Sequence, residues 1–279
     1  MKNLTTTLLL LSFCAGTSLF AQDIPVIDWE ELQKTSPWKA SEQWEPVPPK
    51  VTPGFITAPP SDALVLFDGK DLSKWHKPKY PYGVRMDHVE GILAAKKKDT
   101  EVFPPEWTVK DGMAIVKPGG GHLETNQAFG DVQLHIEWLS PVDPGKKDQG
   151  YGNSGVFFMG LYEVQILNSY ENKTYPNGQA GSLYKQAIPL VNASRPPGEW
   201  QAYDIVFDAP EFNEDGSLKE AAYITVFHNG VLIQNHVRLE GPCIYIGKPH
   251  YTPHAAKLPL LLQDHSDLVR YRNIWIREL

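Results

Sequence analysis

The stretch Asn153 to Tyr170, N-S-G-V-F-F-M-G-L-Y-E-V-Q-I-L-N-S-Y, constrains this chain more than any other. Its halves, Ser154 to Met159 and Leu161 to Leu167, are rich in β-branched and aromatic residues. Gly160 with Leu161 marks a tight connection, so the stretch reads as two strands or one bent strand. The second half alternates. Tyr162, Val164 and Ile166 point to one side and Glu163, Gln165 and Leu167 to the other, because successive strand side chains face opposite ways. A carboxylate and an amide therefore share one face about 7 Å apart, with apolar packing behind them. Such a face suits a sugar-binding groove, while pairing of Glu163 with a lysine on a neighbouring strand is the plainer alternative.

Elsewhere helical periodicity is scarce and turn dipeptides are frequent, which predicts an all-β sandwich. With 279 residues, 42% of them apolar and 11% aromatic, the chain can bury the core of one such domain. Met1 to Ala21 reads as a signal peptide, with Lys2 in the positive region, Leu8 to Phe13 as the apolar run and a cleavage site before Gln22. It is too short to span a membrane, and Phe13 before Cys14 is not the small residue a lipoprotein signal wants. An exported protein, periplasmic or extracellular and soluble after cleavage, is expected. Removing the segment takes away Lys2, shifts the formal net charge from −7 to −8, and leaves Cys243 as the single cysteine, so no internal disulfide is available. The acidic balance argues against nucleic acid as a partner, and Lys96, Lys97 and Lys98 read as a solvated loop.

Gln22 to Pro60 carries eight prolines together with Trp29, Trp38 and Trp44. It reads as an irregular arm with a helical turn or two around Trp29 to Lys34, lying across the main domain or a neighbouring subunit, which makes it a route to a homo-oligomer. The domain begins near Ser61, with strands expected at Ala63 to Phe67, Asp131 to Leu139, Tyr203 to Phe207, Leu260 to Gln263 and Leu268 to Glu278. Asp111-Gly112 and Asn229-Gly230 predict hairpins. His76 to Pro105 reads as an extended loop with short strands, Gly119-Gly120-Gly121 as a backbone bend, and Tyr175 to Trp200 as a long functional loop. In Asp131 to Leu139, His135 and Glu137 share a wholly polar face.

Several motifs in sequence resemble the 3-keto-disaccharide hydrolase family: L-F-D-G-K-D-L-S-K-W (Leu66 to Trp75), F-G-D-V-Q-L-H-I-E-W (Phe129 to Trp138), the opening stretch, Y-P-N-G-Q-A-G-S-L-Y (Tyr175 to Tyr184), V-N-A-S-R-P-P-G-E-W-Q-A-Y-D-I (Val191 to Ile205) and the run Leu261 to Leu279. The resemblance covers Ser61 to Leu279. It implies a two-sheet jelly-roll sandwich of the concanavalin A-like lectin and glucanase type, acting on glycosides already oxidised to a ketone at position 3. An upstream oxidoreductase that makes the ketone is then a functional partner, since nothing in the chain reads as an organic cofactor site. The insertion at His76 to Pro105 and the arm extend beyond the minimal family pattern.

Retaining glucanases of this fold carry two glutamates on one strand, whereas the corresponding positions here read Glu163, Gln165 and Asn168. A 3-keto sugar needs less. The ketone acidifies the proton on carbon 2, so one base can start an elimination that breaks the bond at carbon 1, after which water adds. Glu163 is the candidate base or acid, with His135 and His265 for the complementary role. Gln165, Glu137, Asn153, Ser154, Tyr184, Arg195 and Gln263 are candidate substrate-binding residues, and Tyr175 and Trp200 could stack on sugar faces. His135 with Glu137 is the candidate pair for a divalent metal, although a cross-strand hydrogen-bonding set is preferred because no third ligand is visible. His228 and His236 read as structural. A non-catalytic carbohydrate-binding module and a conventional endo-glycosidase are the alternatives.

Overall fold

The computed structural model describes residues 38–47, 59–79, 86–98 and 102–279. The expected signal peptide, Met1 to Ala21, and the helical turns expected near Trp29 lie outside the described residues. The elements are β1 (Leu64–Phe67), β2 (Trp75–His76), α1 (Met86–Lys98), β3 (Thr108–Lys110), β4 (Met113–Ile115), β5 (Leu123–Phe129), β6 (Val132–Leu139), β7 (Ser154–Phe158), β8 (Tyr162–Ile166), β9 (Gln201–Asp208), β10 (Glu211–Phe212), β11 (Leu218–Glu220), β12 (Tyr223–His228), β13 (Val231–Arg238), β14 (Leu258–Leu262) and β15 (Arg270–Glu278).

Two antiparallel sheets make the jelly-roll sandwich. The larger runs β13-β12-β9-β6-β15-β4-β3 with β1 also on β15, and the smaller runs β2-β5-β14-β7-β8. Period-two alternation explains how they stack. Leu134, Ile136 and Trp138 of β6 and Tyr203, Ile205 and Phe207 of β9 meet Val156 and Phe158 of β7 and Tyr162, Val164 and Ile166 of β8 in one buried core. Phe158 stacks on Phe207 across the two layers, ring centroids 4.7 Å apart. Each such side chain contributes roughly 1.5–3 kcal/mol of burial, so a one-residue slip of any of these strands is strongly disfavoured.

Three hairpin corners have positive φ at both central residues: Asp111 and Gly112 (52° and 75°), Met159 and Gly160 (58° and 66°), and Asn229 and Gly230 (53° and 81°). The Asp-Gly and Asn-Gly pairs adopt this geometry readily, as expected. Met159 does not favour it, but its side chain is buried and the strands on either side are buried throughout.

Two elements differ from expectation. His76 to Pro105 is no loop throughout: it contains α1, and Lys96 to Lys98 form its last turn. Gly91 and a narrow apolar stripe hide the helical period. Val89 and Leu93, one turn apart, are nevertheless buried, and such packing stabilises short helices more than propensity does. Strand β5, L-E-T-N-Q-A-F, was not legible because its polar residues break the alternation. They are satisfied in place: buried Glu124 faces His76 Nε2 at 3.5 Å, and Thr125 Oγ1 donates to the Gln127 carbonyl while accepting from Leu260 N.

Candidate active site

The outward face of the smaller sheet carries a cavity of about 560 Å³, within the range of small-molecule pockets. Because Tyr162, Val164 and Ile166 of β8 enter the core, Glu163 and Gln165 face the cavity. Strand β14 runs beside β7 and its continuation supplies Gln263 and His265. The His265 turn is fixed from outside: Asp264 N donates to His122 Nδ1, and the Asp264 carboxylate accepts from Gly121 N and Ser266 N. The Gly119 to Gly121 bend thus supports the cavity rim. The loop from Tyr175 to Trp200 adds Tyr175 and Tyr184, whose hydroxyls are 2.8 Å apart and whose phenols burial pushes well above their usual range. Asn153 and Gln149 complete this side, tied by a bond from Asn153 Nδ2 to the Gln149 carbonyl.

Glu163 is the centre of the site. It is only 5% exposed, and burial pushes its carboxyl up to about 8 from an ordinary 4.5, a shift that the Cys243 thiol lessens by donating to Oε2 at 2.8 Å. Cys243 is held by its own backbone, whose N–H donates to the carbonyl of Leu161, the residue just before β8. Room for the carboxyl comes from Gly155, where an added Cβ would sit 2.5 Å from Glu163 Oε1. At neutral pH Glu163 is therefore a carboxylic acid able to give a proton. The Oε1 atoms of Gln165 and Gln263 are buried with no hydrogen-bond partner in the protein, so two acceptors stand at the cavity without donors.

Of the expected residues, Glu163, Gln165, Asn153, Tyr184, Gln263 and His265 come together here, with Tyr175. Four do not. Ser154 lies on the opposite, core-facing phase of β7, bonded to the Gln263 carbonyl and the Tyr271 hydroxyl. Arg195 turns back on its own loop, donating to the Trp200 carbonyl, and Trp200 is covered by the Arg272 guanidinium 4.0 Å from its ring. His135 and Glu137 face outward from the larger sheet, on the far side of the sandwich, because their neighbours Leu134, Ile136 and Trp138 fill the core. They form the cross-strand set. His135 Nδ1 contacts Asp204 at 2.7 Å, and Glu137 is held by Arg272 Nε at 2.6 Å and Asn273 Nδ2 at 2.8 Å. Burial alone would lower the imidazole, but bonding to Asp204 and Glu137 outweighs it and raises His135 to about 9. Both imidazole nitrogens are engaged, Nδ1 by Asp204 and Nε2 beside Glu137 and Asn273.

Sequence reasoning missed Gln149, Tyr245, Trp38 and Glu42 at the cavity. Tyr245 carries no local signal. Gln149 lies in a polar loop without a period. Trp38 and Glu42 belong to the arm, whose tryptophans indicated docking but not where, and its described part does lie across the domain.

A jelly-roll sandwich with a carboxyl-centred, amide- and tyrosine-walled cavity on one sheet has the layout of a glycosyl hydrolase-like protein. The chain belongs to the family with a 3-keto-alpha-glucoside-1,2-lyase-like domain, whose model matches residues 62–277. It is similar to a solved candidate glycosyl hydrolase from Parabacteroides distasonis ATCC 8503, with 46% identity and a TM-score of 0.69 over 86% of this chain and 96% of that one. A second candidate glycosyl hydrolase from the same organism shares the fold at 18% identity, with a TM-score of 0.52 over 78% of this chain and 94% of that one. No curated protein matches.

Gly155→Ala should displace the Glu163 carboxyl, lowering turnover about 10- to 100-fold and stability by about 1–3 kcal/mol, as read from kinetics and urea melts. His135→Asn should cost about 3 kcal/mol or more of stability yet leave turnover unchanged. The His135 contribution is fully present below pH 6.5 and lost as pH rises through about 9, so the gap between wild type and variant should narrow in melts across that window.

Proposed function

We propose that the protein is an exported enzyme that cleaves 3-keto-glycosides by elimination followed by hydration, giving net hydrolysis. The observation that carries this reading is the Glu163 carboxyl, raised to about 8 in a cavity walled by amides and phenols. Such a group is suited to protonate a leaving group at neutral pH. His265, at the exposed rim of the same cavity, is the base. It takes the proton from carbon 2; the C–H electron pair forms the enolate of the 3-ketone, the side-chain N–H of Gln263 donates to its oxygen, and the unpartnered Oε1 atoms of Gln165 and Gln263 accept from sugar hydroxyls. The enolate then expels the substituent at carbon 1, whose oxygen receives the proton of Glu163. An enone and an alcohol result. Addition of water across the double bond, oxygen to carbon 1 and proton to carbon 2, restores the keto sugar. Membership of the lyase-like family supports this order of events, and the ketone requires a separate oxidoreductase upstream. Met1 to Ala21 supports delivery to the periplasm or beyond, and no helix among the described residues is long and apolar enough to cross a membrane.

Conventional glycoside hydrolysis is the second reading. It is favoured by one observation, the presence of a second carboxyl, Glu42, at the cavity wall. One assay separates the two: turnover of a 3-keto-glucoside beside its unoxidised parent. Cleavage of the keto sugar alone supports elimination, cleavage of the parent supports the conventional reaction, and binding without cleavage of either leaves a carbohydrate-binding module.

Glu163→Gln should lose roughly 100-fold or more in turnover while still binding the sugar. In the wild type, turnover should fall as pH rises through about 8, where Glu163 loses the proton it must donate. Stability should move the same way. Between 4.5 and about 8 the native carboxyl holds a proton that the unfolded one has released, so stability declines as pH rises across that window. The Glu163→Gln protein should lack this slope and exceed wild type at pH 8 in urea melts, by on the order of a few kcal/mol.

A further inference from the structure

The family match begins at residue 62, yet one wall of the cavity is built by residues 38–47. The domain grips this arm by its main chain. Buried Asn177 makes a reciprocal pair, its Nδ2 donating to the Ser41 carbonyl at 2.8 Å and its Oδ1 accepting from Gln43 N at 3.1 Å. Lys185 Nζ donates to the Trp38 carbonyl at 2.6 Å and the Tyr245 carbonyl at 3.1 Å, and lies 4.2 Å from the centre of the Tyr245 ring. Trp44 closes the contact edge-on against Tyr175. Asn177 and Lys185 belong to the same loop that brings Tyr175 and Tyr184 to the cavity, so arm and loop form one unit.

Main-chain gripping leaves the side chains of Trp38 and Glu42 to the cavity. Trp38 is 39% exposed, a large apolar ring on a pocket wall. The Glu42 carboxylate is steadied by Trp44 Nε1 at 3.3 Å, and its charge adds to burial in raising the Tyr175 and Tyr245 phenols. An aromatic face beside an acceptor-only carboxylate suits a sugar ring, which offers C–H faces to the one and hydroxyl donors to the other.

We propose that the arm is the substrate-selecting wall of the pocket, with Trp38 stacking on a sugar ring and Glu42 accepting its hydroxyls, and that it restricts the site to short glycosides. The inference rests on the keto-glycoside reading of the cavity. Glu42 here binds and orients, while proton transfer stays with Glu163 and His265.

The test compares methyl 3-keto-α-glucoside with a trisaccharide carrying the same ketone on its terminal sugar. Turnover and calorimetric affinity are measured for the wild type, Trp38→Ala, Glu42→Gln and Asn177→Ala, with thermal melts establishing that each variant is folded. Wild type should prefer the small glycoside. Trp38→Ala and Glu42→Gln should raise both KM and Kd for it about tenfold, with kcat nearly unchanged. Trp38→Ala should also narrow the preference over the trisaccharide. Asn177→Ala, which releases the arm without removing a lining residue, should reproduce both effects. Unchanged KM and Kd in all three variants would overturn the inference, as would a collapse of kcat in Glu42→Gln at constant Kd, which would move Glu42 into the chemistry. A wild type that binds but does not cleave refutes the proposed reaction while the Kd series still judges the arm. A wild type that neither binds nor cleaves either keto sugar refutes both.

Discussion

A carboxyl group kept from water is the constraint on which this site depends. Glu163 sits between Tyr162 and Val164, both buried in the sandwich core, so its direction is dictated by neighbours that cannot be exposed without losing the packing of β8. The chain then accommodates the consequence. Gly155 on the adjacent strand leaves a space that any Cβ would fill, and Cys243 brings a weak donor to one carboxyl oxygen. A stronger donor or a cation in that place would hold the group ionised; a thiol leaves it neutral. The sandwich core supplies the stability against which such a costly group can be maintained.

Strand alternation made much of this legible in the amino-acid sequence. Tyr162, Val164 and Ile166 against Glu163 and Gln165 set both the core and the cavity face of β8. Its failures share a cause. Alternation establishes that two faces exist, but not which sheet a strand joins or what lies opposite. His135 and Glu137 present the same apolar-and-polar signature as Glu163 and Gln165, yet β6 sits in the other sheet and its polar face looks away from the cavity. Ser154, named as a candidate binding residue, lies on the core-facing phase of β7 with Val156 and Phe158. Trp38 and Glu42 reach the site over more than a hundred residues of sequence, through Asn177 and Lys185, and no local pattern records such a contact.

The two outward faces show why similar residues end in different roles. On the larger sheet, His135 lies between Asp204 and Glu137, and Glu137 is also held by Arg272 and Asn273. Each charge there has an opposite charge or a donor within reach, and the cluster braces neighbouring strands. On the smaller sheet the carboxyl meets a thiol, and the amide oxygens of Gln165 and Gln263 meet nothing in the protein. Polar groups that are buried without enough partners destabilise a fold, and they persist where a ligand supplies what the chain omits.

The arm follows from the same imbalance. A sheet face of underpaired amides and a neutral acid can bind many hydroxylated molecules, because hydroxyl groups are both donors and acceptors. Selectivity has to come from shape, and shape is supplied most readily by an element that is free to differ without disturbing the sheet. Residues 38–47 meet that requirement: they contribute no strand to either sheet and are held through their carbonyl and amide groups, so a change of side chain at Trp38 or Glu42 leaves the clasp intact. Chemistry and selection are thereby carried by different parts of the chain. The first is locked into β8 by the core behind it, and the second is laid over the cavity by two residues of one loop.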